Sequence, residues 1–257
     1  MGKVLVAVAT HCDDVELNAG GTVAKWADQG GKVHIVMVTN NCAGEFIPEG
    51  GDESAKRRLP AQEATAIRRR EQEAAAALIG ASVRYLDYSQ RHYWDGRQQV
   101  TAGFEHQAPA PPGVAGRPQL ITSYQKPEHF QGVGKLLVLL QPDVVLTHGV
   151  LDVDPEHHAV CSLMWLAFRE CRADLKGVAL RFWTPGSSCM WGVTEPNYDY
   201  FEDISDYFDR KLALCRCHAS QMIKMRLEMV EMRARHYGAQ MGVRYAEPFN
   251  TAKNWDR

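Results

Sequence analysis

Short apolar runs alternate with longer stretches whose apolar residues recur at helical spacing, and this alternation begins at the first residues. Lys3 to Ala9 is short, continuous and valine-rich, as expected of a strand buried on both faces of a parallel sheet. Leu17 to Gln29 reads as a helix with Val23 and Trp26 on its apolar stripe, closed by Gly30-Gly31. Val33 to Thr39 is a second buried strand, so the chain opens as β-α-β and predicts a doubly wound sheet. The pattern continues with an alanine-rich helix from Ala61 to Ile79, a strand from Val83 to Tyr88, and a helix from His129 to Leu140 stopped by Pro142. Asp143 to Thr147 is a fourth buried strand, followed by a helix from Ala159 to Cys171 and a strand near Val178 to Trp183. A short strand at Phe201 to Ile204 and C-terminal helices at about 205–241 complete the expectation. It is one α/β domain over 1–257, with a Rossmann-like, mostly parallel sheet and helices on both faces.

One stretch breaks the rhythm. Ser89 to Glu128 has no sustained periodicity, holds the Pro/Gly cluster Ala108 to Gly113, and carries Tyr93, Trp94, Phe104 and Tyr124. Unstructured loops longer than about 12–15 residues are uncommon in compact domains unless they cover or bind something. The excursion at 89–128 is therefore expected to cover substrate or contact a subunit. In the tail helix, from about Ile223 to Tyr237, Met225, Met229 and Met232 fall at helical spacing, which reads as core or interface packing and leaves room for a homo-oligomer.

Composition narrows the class. With 257 residues, 45% of them hydrophobic, there is ample chain for a sizeable core. A formal net charge of −2 gives no long-range attraction for nucleic acid or an anionic membrane, and neither is expected as a partner. No apolar segment approaches the roughly 20 residues needed to span a bilayer. Seven cysteines without a CxxC pair argue for a reducing, cytoplasmic setting.

The chemistry sits where strands end. Val4 to Ala9 runs straight into Thr10-His11-Cys12-Asp13-Asp14-Val15-Glu16, and the fourth strand runs into His148 to His158, rich in His, Asp and Glu. Charges at the exit of a core are costly without a partner, and a divalent metal is one. A single histidine after a strand is ordinarily a packed residue, and an Asp-Asp pair is ordinarily a helix cap. Two such clusters at the same edge of one sheet point instead to a shared site. His11 and Asp14 are close enough on one turn to bind a metal together, and His157 supplies a third ligand from the neighbouring strand end. Two imidazoles and a carboxylate form the pattern of a catalytic zinc site, although another divalent metal would satisfy it. Asp13 is then a spare carboxylate, placed to act as general base. Gly20-Gly21 does not make a dinucleotide fingerprint, because the strand-to-helix turn holds His-Cys-Asp-Asp rather than GxGxxG; the glycines read as a helix-packing site.

These residues resemble the PIG-L/LmbE-like zinc-dependent deacetylases of N-acetylglucosamine-containing molecules. The family's (A)HPDDxE motif is matched by His11-Cys12-Asp13-Asp14-Val15-Glu16, and its HPDH motif by Asp154-Pro155-Glu156-His157. The resemblance extends to Gly20-Gly21, the Thr39-to-Gly44 turn, Arg68 with the following helix, and Asp203-Ile204-Ser205 with Lys211 and His218 to Gln221. It implies His11, Asp14 and His157 as zinc ligands, Asp13 as the base, and Arg68, Asn40 and His218 as substrate-contacting residues. The implied reaction is removal of acetyl from a small N-acetylated sugar conjugate, an amide hydrolysis outside peptides. Cys12 and Glu156 depart from the motifs. Asp154 stands where the family has a histidine that stabilises the oxyanion and protonates the leaving group; as catalytic acid it competes with His148, His158 and His218. That departure keeps open two alternatives, a metal-dependent amidase for another acyl group and a non-catalytic metal- or sugar-binding relative.

Overall fold

The computed structural model describes residues 2–48, 50–101, 113–183 and 197–253. A hairpin of β4 (His92–Trp94) and β5 (Gln99–Thr101) stands apart from a seven-stranded sheet. In that sheet β1 (Val4–Ala9), β2 (Lys32–Thr39), β3 (Ser82–Tyr88), β6 (Val144–His148) and β7 (Ala179–Trp183) are parallel. Two antiparallel strands, β8 (Tyr200–Asp203) and β9 (Ala246–Thr251), extend one edge, giving the order β3-β2-β1-β6-β7-β9-β8. The expected mostly parallel α/β architecture is the one observed. Strand β9 is unanticipated because Pro248 argues against a strand; the proline lies beyond the residues that pair with β7, where its missing N–H breaks no bond to that strand.

Period-two alternation divides the core. Leu5, Ala7, Ala9, Val33, Ile35, Met37, Val144 and Leu146 face one side, and Val6, Val8, Val36, Val38 and Val145 the other. On the first side lie α1 (Asp14–Asp28), α2 (Ala61–Ala77) and, after the four-residue α3 (Leu120–Ser123) turn and its successors, α6 (Phe208–Arg216), which contribute Val15, Ala19, Val23, Ala75, Ala76 and Leu214. On the second lie α4 (Pro127–Leu140) and α5 (Pro155–Glu170), with Val133, Leu137, Val160, Leu163, Met164 and Phe168. The Gly20-Gly21 packing site is present: a Cβ at Gly21 would lie 2.7 Å from Ile204.

Three expectations are corrected. Helices α1 and α5 begin earlier than the apolar period indicates, because Asp14 and the Pro155-Glu156-His157 turn are already helical. Within 89–128 the structure finds the β4–β5 hairpin and α3; Phe104 and most of the Pro/Gly cluster lie outside the described residues. The tail helix α7 (Lys224–Met241) packs through Val230, Ala234 and Tyr237, while Met225 and Met232 are exposed. Met225 and Met232 are therefore not core, so only the core half of the core-or-interface reading falls. No described helix is long and apolar enough to cross a membrane.

Candidate functional site

Strand order reverses between β1 and β6, whose connections leave in opposite directions, and ligands in open α/β sheets bind at such a switch point beyond the carboxyl ends of the strands. A cavity of about 1070 Å³ opens there. Its floor is made by the turn after β1 and the first turn of α5. Its walls come from the segment after β2, the β4–β5 hairpin and one face of α7.

On the floor, three donor atoms converge. His11 Nδ1 and His157 Nε2 are 3.1 Å apart, Asp14 Oδ2 is 3.7 Å from the first and 3.5 Å from the second. A tetrahedral zinc with bonds of ~2.0–2.1 Å separates its ligand atoms by about 3.3–3.4 Å, so this spacing fits a metal ion. A second cluster, His148, Asp152 and His157, fits less well. There His157 Nδ1 and Asp152 Oδ2 are 2.6 Å apart, which is a hydrogen bond rather than the edge of a coordination shell.

Each imidazole of the first cluster is held by a carboxylate on its far nitrogen. His11 Nε2 donates to Glu156 Oε2 at 2.6 Å, and His157 Nδ1 donates to Asp152. Such bonds fix the tautomer, leaving His11 Nδ1 and His157 Nε2 free to bind metal. Asp14 is oriented as well: its Oδ2 accepts from the His11 N–H at 2.7 Å and lies 3.2 Å from His148 Nε2. The indole N–H of Trp183 points at His148 Nδ1 at 3.2 Å and the Thr10 N–H points at its Nε2 at 3.1 Å, so both ring nitrogens face a donor. His148 is wholly buried and stacks on His157, with ring centroids 4.0 Å apart.

Burial works against charge on His11, but the Glu156 carboxylate bonded to it and nearby Asp14 prevail and raise its pKa to about 10. Burial likewise opposes an ionised Glu156, and His11 overcomes this, drawing it down to about 2. Against burial, His157, His148 and His11 hold Asp14 well below the usual carboxylate range, and His148 and His157 do the same to Asp152. These shifts describe a floor whose nitrogens hold protons that a metal ion would have to displace.

Asp13, beside this cluster, has φ of 111°, in the left-handed region that favours glycine; an L side chain there costs about 1–2 kcal/mol. Its carboxylate is held by two arginines, Arg68 Nη2 at 3.1 Å from Oδ1 and Arg226 Nη1 at 3.6 Å from Oδ2. Arg68 also donates to the Cys12 carbonyl and lies 3.8 Å from Glu71, whose oxygens accept from the N–H and hydroxyl of Ser220.

The structure thus brings His11, Asp13, Asp14, Arg68, Asp154 and His157 to one cavity, and leaves two expected substrate contacts outside it. Asn40 is fully buried and donates to the Gly113 carbonyl; its neighbour Asn41 lines the cavity instead, accepting from the Cys12 N–H. His218 is buried behind α1, 3.2 Å from Glu16. Among the alternative acids, His148 is sealed beneath the ligands and His158 is exposed on the far side of α5. Asp154 is the N-cap of α5: its Oδ1 accepts from the Glu156 N–H at 2.7 Å. Cys12 is buried in the apolar core, away from any metal contact. Sequence reasoning missed Asp152, whose signal was a carboxylate five residues before His157, and Arg226, which no local pattern announces.

A doubly wound α/β domain with a His-Asp-His donor set at its switch point is a scaffold that could hold a metal ion. The chain belongs to the PIG-L family, described as GlcNAc-PI de-N-acetylase, which matches residues 6–168, well over half its length. It is 25% identical over 259 residues to a diacetylchitobiose deacetylase of Thermococcus kodakarensis, covering 95% of this chain and 81% of that protein. The N,N'-diacetylchitobiose deacetylase from Pyrococcus horikoshii, solved with an inhibitor, superposes with a TM-score of 0.69 at 24% identity, over 98% of this chain and 84% of that one. The 4-carboxy-2-hydroxymuconate hydratase from Pseudomonas putida shares the fold too, with a TM-score of 0.66 at 21% identity, over 97% and 96%.

Proposed function

We propose that this chain is a zinc-dependent N-deacetylase that hydrolyses the acetamide of a small N-acetylated amino-sugar conjugate. The observation that carries the reading is the convergence of His11 Nδ1, Asp14 Oδ2 and His157 Nε2 on the cavity floor, next to a second carboxyl group, Asp13, that no ligand role claims. Zinc held by those three atoms would polarise the amide carbonyl and make water acidic enough to react near neutral pH. Asp13, kept in orientation by Arg68 and Arg226, takes the proton of the attacking water. As the carbon–nitrogen bond breaks, Asp13 returns that proton to the nitrogen, and acetate and a free amine leave. Asp154 has no donor role in this scheme, because its carboxylate is engaged as an acceptor at the α5 N-terminus. The diacetylchitobiose deacetylases among the relatives support both the acetyl group and the sugar. A reducing, cytoplasmic setting is part of the same reading, supported by the free cysteines of the described residues.

Metal-depleted protein should release no acetate from N-acetylated amino sugars and regain release with zinc; turnover indifferent to metal removal would sink the reading. The capping role of Asp154 favours one alternative, a relative that binds such a sugar without cleaving it. Saturable binding with no acyl group released by zinc-loaded protein selects that alternative, and release of a longer acyl group without acetate selects an amidase of different specificity.

A further inference from the structure

Resting on that reading, we propose that Glu156 is a positioning residue that couples the cavity wall to its floor. One carboxylate ties the metal-binding ring of His11 to the base of the β4–β5 hairpin, so that a filled floor and an ordered wall reinforce each other. Glu156 lies in the first turn of α5, and its side chain is 7% exposed. Its two oxygens face different parts of the molecule. Oε2 accepts from His11 Nε2 at 2.6 Å and from the Gln90 amide at 3.2 Å, while Oε1 accepts from the Arg91 N–H. His11 belongs to the turn after β1, whereas Gln90 and Arg91 end the segment that leaves β3 and run directly into His92, the first residue of the hairpin.

Gln90 carries the tie further. Its side-chain oxygen accepts from the Ala43 N–H at 2.9 Å, and Ala43, Gly44, Glu45 and Ile47 line the cavity from the segment after β2. His92, Tyr93, Trp94 and Gln99 line it from the hairpin. Two parts of the wall therefore rest, through Glu156, on a ligand of the floor. Asp152 supports His157 differently, from five residues away in the same stretch of chain. The HPDH motif has aspartate where this chain has Glu156, and the extra methylene lets the carboxylate reach His11 and the hairpin base together. With His11 Nδ1 ligated, the ring is fixed; the ring then fixes the carboxylate, and the carboxylate fixes the N–H that opens the hairpin. What one event has ordered the other need not order again, so the two are linked by one factor that acts both ways. The site should hold zinc hardest when the wall has settled on a substrate.

A double-mutant cycle with zinc affinity as its readout tests this coupling. Glu156→Asp keeps the charge and removes the reach. Tyr93→Ala loosens the hairpin by deleting a ring packed among Cys42, Ala61 and Val114, and it touches no ligand atom. Chelator competition gives the zinc dissociation constant of the parent, each single variant and the double variant. Glu156→Asp should weaken zinc about 10-fold. Tyr93→Ala should weaken it about twofold or more in the parent and not at all in the Glu156→Asp background. Hydrogen exchange supplies a second reading, and decides alone if Tyr93→Ala does not fold: zinc should slow exchange of the amides in 91–101 of the parent, and this protection should vanish in Glu156→Asp. A Glu156 that only supports His11 would make the two losses multiply independently, or leave hairpin exchange unchanged by zinc, and either result overturns the coupling. Neither measurement needs turnover. A protein that binds zinc but releases no acyl group therefore loses the deacetylase reading, while the cycle still decides the coupling; a protein that takes up no zinc loses both.

Discussion

On the cavity floor the side chains of Asp13, Asp14, Glu156 and His157 are between 7% and 9% exposed, whereas on the wall Arg58 and Arg226 are 39% and 45% exposed. The floor hangs from two central strands, β1 and β6, which pair with each other in the middle of the core. Its groups are locked by hydrogen bonds of 2.6 to 2.7 Å to one another. The wall is carried by the 40–58 segment, the β4–β5 hairpin and a C-terminal helix, none of which belongs to the central sheet. The difference separates two tasks: the strand ends hold reacting atoms in a fixed arrangement, and the excursions select what reaches them.

If that division is right, damage to the floor should cost far more than damage to the wall. The largest loss is expected from Asp13→Asn, which removes the base: turnover should fall by about 10²–10⁴, with zinc still bound stoichiometrically by elemental analysis. Asp152→Asn, which strips the support from His157 without touching a ligand atom, should weaken zinc by about 10–100-fold in a chelator competition. The next effect is that of pH. His11 is raised from its ordinary 6.5 to about 10 in the metal-free protein, so zinc must expel a proton, and its apparent affinity should climb as pH rises across that window. The raised value also means that the His11–Glu156 pair stabilises the metal-free fold fully below 6.5 and loses this contribution as pH passes through 10. Tm of the metal-free protein should decline over that range. Smallest of all, Arg226→Gln on the exposed wall helix should lower kcat/KM by less than tenfold and leave zinc affinity unchanged, since it touches only the outer oxygen of Asp13.

The same division governs what the sequence discloses. Strand ends that run into His11-Cys12-Asp13-Asp14 and into Asp154-Pro155-Glu156-His157 are local patterns, and parallel pairing is enough to set them side by side. Asp152 was present in the same stretch but silent, because nothing in spacing says which carboxylate faces Nδ1 of His157. Asn40 and Asn41 could not be told apart, since the choice depends on Asn41 turning through φ of 55° to meet the Cys12 N–H. His218 lay in a stretch that resembles the family, yet the fold spends it on Glu16 beneath α1. Arg226 reaches Asp13 only after more than two hundred residues of chain have folded back, a contact with no local signature. The methionines of α7 misled for a related reason: helical spacing reports a stripe but not what it faces.

The central claim is the position of the metal, and anomalous diffraction at the zinc edge from zinc-soaked crystals tests it most directly. The account predicts one strong peak bonded to His11 Nδ1, Asp14 Oδ2 and His157 Nε2. A peak among His148, Asp152 and His157, or none on the cavity floor, would contradict it.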